Sequence, residues 1–159
     1  MSIRNAAKAI IIDNGKVLLN QCHNEQTGDY FCLPGGGQNQ YETMAEAVIR
    51  ECLEETGYEV IPSRFAALLE VIYDTDDPKA DANYTHKIYH IFECEVKNRT
   101  AHTPTEQDTN QLGCVWVAID DLSRVNLHPP VLGKNIDCII KSKIPIFLGS
   151  EHEAFDRQV

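Results

Sequence analysis

The amino-acid sequence predicts an α/β chain of the α+β type, with a mixed β-sheet covered by helices on its faces. Three observations lead to this fold class: β-prone runs recur along the chain, only two segments are good helices, and the two kinds are interspersed. The 159 residues suffice for one sizeable core and leave little room for a second. A single domain over residues 1–159 is therefore expected.

The chain opens with a predicted β-hairpin. Two β-prone runs, residues 6–12 and 16–21, flank Asn14 and Gly15, and Asn-Gly supplies the positive φ angles of a tight turn. After a polar stretch, residues 30–33 read as a short strand.

The next segment predicts a sharp stop followed by a helix. Pro34-Gly35-Gly36-Gly37 ends regular structure. From residue 43 to residue 56 the pattern is helical, and Gly57 is well placed as the left-handed C-terminal cap.

The second half of the chain predicts mainly strands, at residues 58–61, 65–73, 84–96 and 114–118. Two polar loops separate the last three strands, an acidic one at residues 74–83 and a long one at residues 97–111. A loop as long as the second is usually mobile or functional. A short helical turn at residues 120–124 and a helix at residues 130–141 complete the prediction.

Composition excludes some function classes. The 14 Lys and Arg residues face 24 Asp and Glu, and the resulting net charge of −10 disfavours binding to nucleic acid or to an anionic membrane. The six cysteines form no C-x-x-C pair, so free thiols in a reducing cytoplasm are expected. The apolar run at residues 9–12 is too short for a signal peptide or a membrane span, which predicts a soluble, cytoplasmic protein.

Three carboxylates share one edge of the predicted helix. Glu51, Glu54 and Glu55 fall within an arc of about 100° and roughly 6 Å of axial rise. The apolar residues expected to face the core lie on the adjoining arc, at positions 45, 48, 49, 52, 53 and 56. Like charges so close raise one another's pKa unless a cation such as Mg²⁺ or Mn²⁺ lies between them. A solvated glutamate face is the alternative, and spacing alone does not decide between the two.

The sequence around the glutamates resembles the Nudix box, the signature of the MutT-like Nudix hydrolases. The box spans residues 36–58, and all seven of its fixed positions are matched at the right spacing: Gly36, Glu42, Arg50, Glu51, Glu54, Glu55 and Gly57. Cys52 and Tyr58 replace the usual aliphatic residues, and both can be buried. Asn39 and Tyr41 stand where the family often has glutamate and glycine.

The resemblance implies a Nudix-type α/β/α sandwich and a role for each box residue. Metal ligation is implied for the carbonyl of Gly36 and for Glu51, Glu54 and Glu55, with Mg²⁺ as the cofactor and Mn²⁺ as a substitute. Arg50 would act among the catalytic residues by tying Glu42 and a helix glutamate into place. Glu42 is either a ligand or an orienting residue, and the second role is favoured.

The implied reaction is attack of water on phosphorus in a phosphoanhydride bond. The substrate would be a small nucleotide: a nucleoside triphosphate, a dinucleoside polyphosphate or a nucleotide sugar. The general base is either Glu51 or a carboxylate of the long polar loop, Glu106 or Asp108.

Other residues carry weaker hypotheses. His86 and His90 lie four apart on a predicted strand and could share a site, but two ordinary half-buried histidines are favoured. Four aspartates in the acidic loop, Asp74, Asp76, Asp77 and Asp81, lack the pattern of a calcium loop. Trp116 is expected in the core rather than as a base-stacking platform.

A second class of function remains open, a non-catalytic module with the Nudix fold that senses nucleotides or binds a partner. Such modules tend to lose box glutamates, and this chain keeps them. The sequence does not name the substrate, and a homodimer is expected only because it is the commonest assembly.

Overall fold

The computed structural model describes residues 3–25, 28–74, 85–106 and 110–154. Within these ranges the elements, in chain order, are β1 (Arg4–Asp13), β2 (Lys16–Asn24), β3 (Gly28–Cys32), α1 (Met44–Thr56), β4 (Val60–Asp74), β5 (His86–Val96), β6 (Gln111–Ala118), a 3₁₀ helix (Ile119–Arg124), β7 (Leu127–His128), α2 (Pro130–Lys141) and β8 (Ile146–Ala154).

The strands form one mixed sheet with β1 at its centre. The order is β7-β3-β2-β1-β5-β4-β8, and β6 pairs with β2 outside this path. β1 is antiparallel to β2 and parallel to β5. The other parallel pairs are β3 with β7 and β4 with β8. The predicted mixed sheet is confirmed.

The two helices lie on opposite faces of this sheet. Ala7, Ala9 and Ile11 of β1 point to one face and pack in a cluster with Val48 and Cys52 of α1. The alternate residues of β1 point to the other face. The cluster on that face unites β1 with α2 and contains Ala6, Ile10, Leu132, Ile136 and Ile139. The predicted arrangement, a mixed sheet between helices, is therefore confirmed.

Local signals placed several elements correctly. The hairpin turn has φ angles of 48° at Asn14 and 71° at Gly15, as the Asn-Gly pair predicts. Thr43 is the N-cap of α1 rather than its first residue, and it forms a capping box with Glu46. Gly57 adopts the left-handed conformation, with φ of 75°, and its N–H donates to the carbonyl of Leu53.

The two strands predicted at residues 58–61 and 65–73 are one strand, β4. It pairs with β5 from Val60 to Ile72, with register shifts between Pro62 and Arg64 and between Phe65 and Ala67. Proline lacks an N–H to donate to a sheet. The register shift after Pro62 accommodates the missing hydrogen bond, so the strand continues. The sequence pattern alone suggested a break.

β7 and β8 were not predicted. β8 is a nine-residue strand that includes Gly149, and its pairing with β4 joins segments far apart in sequence, such as Leu68 with Phe147. A strand interrupted by glycine has a weak local pattern, and its partner decides its conformation. β6 begins at Gln111, three residues before the predicted start.

The predicted core face of α1 is confirmed at Val48, Cys52 and Thr56 and is wrong at Ala45, Ile49 and Leu53, because the buried face is rotated toward the glutamates. Ile49 and Leu53 are exposed, with 38% and 37% of their surface accessible. The buried residues of α1 are Ala47, Val48, Cys52, Glu55 and Thr56. One of the three clustered carboxylates, Glu55, is therefore part of the buried face.

Over the described ranges, all six cysteines are free thiols. None of the helices in this part of the chain has the length and apolar character needed to cross a membrane.

We expect Gly57→Ala to lower the free energy of unfolding by about 2 kcal/mol or more. A Cβ at this position would overlap the carbonyl oxygen of His102, and the positive φ adds a conformational cost. Gly149→Ala is the matched control, because Gly149 has φ of 86° but no atom within 4 Å of the added Cβ. It should cost only about 1 kcal/mol. Equal losses in urea denaturation would contradict the steric argument.

Candidate active site

Arg50 of α1 is the centre of a hydrogen-bonded cluster. Its Nε–H and one N–H of Nη2 donate to the two carboxylate oxygens of Glu42, at 2.8 and 3.0 Å. Nη1 donates to Glu51 and to Glu54, each at 2.8 Å. The second N–H of Nη2 donates to the carbonyl of Gly37 at 2.9 Å. These contacts use all five N–H donors of the guanidinium group.

The cluster changes the protonation energetics of its members. Hydrogen bonds from Arg50 hold the pKa of Glu42 below its ordinary value, and a backbone N–H from Asn39 adds to the effect. The carboxylates in turn raise the pKa of Arg50, with Glu42 contributing most. Arg50 is therefore a permanent cation that fixes the helix glutamates relative to the preceding loop.

Residues 35–37, here called the glycine turn, bring backbone against the carboxylates. Gly36 lies so close to Glu51 that a Cβ on the glycine would overlap the carboxylate. The carbonyl of Gly36 accepts a hydrogen bond from the Ala7 N–H at 2.8 Å, which uses one of its two lone pairs. The carbonyl of Gly35 accepts a hydrogen bond from the ammonium group of Lys8.

Glu55 is held from β2 and from the glycine turn. It is 5% exposed, and its Oε2 accepts hydrogen bonds from Asn20 Nδ2 and from the Gly35 N–H, both at 2.8 Å. The side chain of Gln111 donates to the backbone carbonyl of Glu55 at 3.1 Å. A buried carboxylate requires such donors, because leaving it unpaired would cost several kcal/mol. The orientation of Glu55 is therefore fixed by the fold.

Glu54 lies where the long polar loop returns to α1. Its carbonyl accepts hydrogen bonds from the N–H groups of Thr105 and Glu106, at 2.9 and 3.1 Å. The side chain of Glu106 is exposed. The loop thus brings Glu106 to the end of the helix that carries the glutamates, while Asp108 lies outside the described residues.

The loop between the glycine turn and α1 contains a strained residue. Tyr41, where the family often has glycine, has φ of 69° and is 95% exposed. An open cleft of about 460 Å³ lies beside it, on the side of the loop and the start of α1, and is lined by Gln40, Tyr41, Glu42, Glu46, Ile49 and Arg50. Glu51, Glu54 and Glu55 do not line this cleft.

The carboxylates have the chemistry of a divalent-cation site. Glu51 Oε1 and Glu54 Oε2 bind Arg50, while the second oxygen of each has no hydrogen-bond partner within the described ranges. Carboxylate oxygens of this kind suit a hard cation. Over the same ranges, no three acidic, histidine or cysteine side chains are already gathered around one point. Mutual repulsion is a physical reason for that spacing.

Among the described residues, the histidines and the tryptophan that the sequence offered as further candidate sites do not contribute to the Arg50 cluster. His86 binds Glu70 at 2.7 Å, whereas His90 faces Asn5 at 3.4 Å, so each half-buried histidine has its own contact. Trp116 is partly buried: it packs against the cluster between β1 and α1 and donates to the hydroxyl of Tyr58 at 3.3 Å, so it lies at the edge of the core in which it was predicted. Three aspartates of the acidic loop, Asp76, Asp77 and Asp81, lie outside the described residues.

Sequence reasoning missed the residues that hold the glutamates from outside the box. Asn20 is polar but 4% exposed, within the otherwise apolar strand β2. Gln111 is 9% exposed at the start of β6. A polar residue at a position that the strand pattern buries is a usable signal, because such a group needs a partner. The identity of that partner could not be inferred from the pattern.

The fold and the box define a class of protein, and comparison with known proteins agrees. The model of the NUDIX domain matches residues 3–135. The chain therefore belongs to the NUDIX family, which confirms the family predicted from the box.

The individual relatives have low sequence identity to this chain. "Nucleoside diphosphate-linked moiety X motif 6" of Xenopus laevis is 33% identical over 111 residues, which cover 70% of this chain and 47% of that protein. The chain thus spans about half the length of the Xenopus relative. "Phosphatase NudJ" of Escherichia coli K12 is 27% identical over 126 residues, or 79% of this chain and 68% of that protein.

A solved structure, the MutT protein of Bacillus halodurans, superposes with a TM-score of 0.68 at 18% identity. The match covers 96% of this chain and 91% of that one. At this level of identity the likeness shows a common fold.

We expect Glu42→Gln to lower the free energy of unfolding at neutral pH by about 1–3 kcal/mol, because it removes a charged bidentate partner of Arg50. The folded pKa of Glu42 lies below its ordinary 4.5, so this stabilisation is present at neutral pH and is lost on acidification through the folded pKa. The difference from wild type in urea denaturation should therefore shrink in acid. Glu95→Gln, at an exposed position of β5, is the control, and a pH-independent difference for Glu42→Gln would contradict the assignment.

Proposed function

We propose that this chain is a divalent-metal-dependent hydrolase that cleaves a phosphoanhydride bond in a nucleoside diphosphate linked to another moiety. One observation carries the proposal: Glu51, Glu54 and Glu55 of α1 are held at the glycine turn by Arg50, Asn20 and the Gly35 N–H. Such clusters of carboxylates beside close-lying backbone are suited to binding cations and phosphates together.

Each of these residues has a defined task in the proposed reaction. Glu51, Glu54 and Glu55 would hold Mg²⁺, with Mn²⁺ as a substitute, and the carbonyl of Gly36 is the proposed backbone ligand. The bound cation would neutralise phosphate oxygens and lower the pKa of water. Arg50 keeps the glutamates in place through Glu42 and the Gly37 carbonyl. Glu55 is the most firmly positioned of the three, since Asn20 Nδ2 and the Gly35 N–H both donate to its Oε2.

The general base is proposed to be Glu51. Its side chain is 15% exposed and lies between Arg50 and Gly36, so it faces the glycine turn from a fixed position. Glu106 is the second candidate, since its backbone is docked on Glu54 and its side chain is exposed.

The substrate class is supported by the relatives. The printed name of the Xenopus relative refers to a nucleoside diphosphate-linked moiety, and that of the bacterial relative to a phosphatase. Nucleoside triphosphates, dinucleoside polyphosphates and nucleotide sugars all contain the required bond. Assaying a panel of these nucleotides with Mg²⁺ and with Mn²⁺ would identify which class is the substrate.

Glu54→Gln and Glu55→Gln should each reduce metal-dependent release of phosphate or nucleotide by about 10²-fold or more, since each removes a charged ligand. Glu46→Gln, on the exposed side of the same helix, is the matched control, because glutamine also forms a capping box. Hydrolysis of the panel should be measured at several Mg²⁺ and Mn²⁺ concentrations. Unchanged activity in Glu54→Gln would show that the metal site is elsewhere. Tight nucleotide binding by wild type with no turnover would instead favour a sensing module.

Glu51→Gln should lower kcat by about 10²–10⁴-fold, and Glu106→Gln by much less. The reason is that a general base must lie within hydrogen-bond reach of the attacking water, and Glu51 is the carboxylate fixed at the glycine turn. Both variants should be assayed as pH–rate profiles, because loss of the base removes the rise of kcat/KM on the acid side of the profile. A larger effect and an altered acid limb in Glu106→Gln would move the role to the loop.

A further inference from the structure

The glycine turn has carboxylates on its α1 side and cations on its β1 side. Lys8 donates from its ammonium group to the Gly35 carbonyl. Four residues earlier on the same strand, Arg4 lies so close to Gly37 that a Cβ on the glycine would overlap the guanidinium group. Because residues four apart on a strand share a face, both cations lie on one side of β1, about 13 Å apart along the strand.

Lys8 occupies an unusual position for a charged residue. β1 is the central strand of the sheet, and Lys8 pairs there with Ile91 of β5. Its neighbours on the same face, Ala6 and Ile10, are buried in the α2 cluster, whereas Lys8 is half-buried. A lysine in the middle of a sheet loses hydration of its charge, which costs free energy. A purely structural role would not offset this desolvation cost.

Two contacts hold the ammonium group of Lys8 at the glycine turn, one with the Tyr89 ring and one with the Gly35 carbonyl. Its Nζ lies 5.8 Å from the centre of the Tyr89 ring, within the range of a cation–π contact. Gly35 links Lys8 to the glutamates, because its carbonyl faces Lys8 while its N–H binds Glu55. The cation is thus one residue away from a proposed metal ligand.

Lys8 adds a positive charge to surroundings that are mostly negative. Phosphate groups are negative, and so are the three helix glutamates and the chain as a whole, with a net charge of −10. Arg50 cannot bind phosphate without giving up a carboxylate or the Gly37 carbonyl, since all five of its N–H donors are used.

We propose that Lys8 is a phosphate-binding residue of this site, with its ammonium group contacting a phosphate oxygen of the substrate beside Gly35. The inference rests on the proposed function and extends it to a residue outside the box. Lys8 therefore binds substrate, while Arg50 positions carboxylates.

The test compares Lys8→Met with Lys8→Arg, and uses Lys16→Met, an exposed lysine on β2, as the matched control. Binding of ADP in the presence of Mg²⁺ is measured by calorimetry, and Mn²⁺ binding by electron paramagnetic resonance. Lys8→Met should weaken ADP binding and raise KM about tenfold or more, with a smaller change in kcat, because a charge-assisted hydrogen bond is lost. Lys8→Arg should recover most of the loss, while Lys16→Met and Mn²⁺ binding should match wild type.

Unchanged ADP binding and KM in a folded Lys8→Met variant would overturn the inference, as would a loss confined to kcat and Mn²⁺ binding, which a purely structural role predicts. If Lys8→Met fails to fold, Lys8→Gln replaces it, with the same expected and contradicting results. Because ADP binding is measured without turnover, these outcomes differ from failure of the proposed function. That failure would appear as a wild-type protein that hydrolyses no nucleotide of the panel.

Discussion

The arrangement of the site depends on the five hydrogen bonds of Arg50. They join the loop before α1, through Glu42 and Gly37, to the helix, through Glu51 and Glu54. A guanidinium group does this because its donors lie in a rigid plane and its charge is permanent. Three carboxylates of like charge can then remain near one another in a chain that is already strongly acidic. A lysine at this position could not reach all the same acceptors.

The site also depends on the close approach of the glycine turn to β1 and to α1. Gly35 crosses β1 so closely that a Cβ would overlap the carbonyl of Ala7, and Gly36 stands against Glu51. A side chain at either position would push the turn away from the helix or from the sheet. The same proximity lets one residue, Gly35, contact both Lys8 and Glu55. The glycine turn therefore separates a cationic strand from an acidic helix by a single layer of backbone.

The glutamates differ in what holds them, and this bears on their proposed roles. Glu55 is buried and receives hydrogen bonds from β2 and from the glycine turn, whereas Glu51 and Glu54 share one nitrogen of Arg50 and remain partly accessible. The burial of Glu55 explains why the core face of α1 is rotated from the expected one: Asn20 and Gly35 satisfy its charge, so the helix can bury a carboxylate where an apolar residue would be expected. Ile49 and Leu53 are consequently exposed.

The sequence by itself determined the fold class, the hairpin at Asn14-Gly15, the extent of α1 with its Gly57 cap, the box and its class of chemistry. These features rest on local signals, namely turn residues, helical periodicity and fixed spacing, which act over a few residues. Only the tertiary structure decided that β4 continues past Pro62, that β8 joins the sheet, and which face of α1 is buried. It alone brought Asn20 and Lys8 to the glycine turn, because contacts between strands and loops distant in sequence leave no periodic trace in the chain.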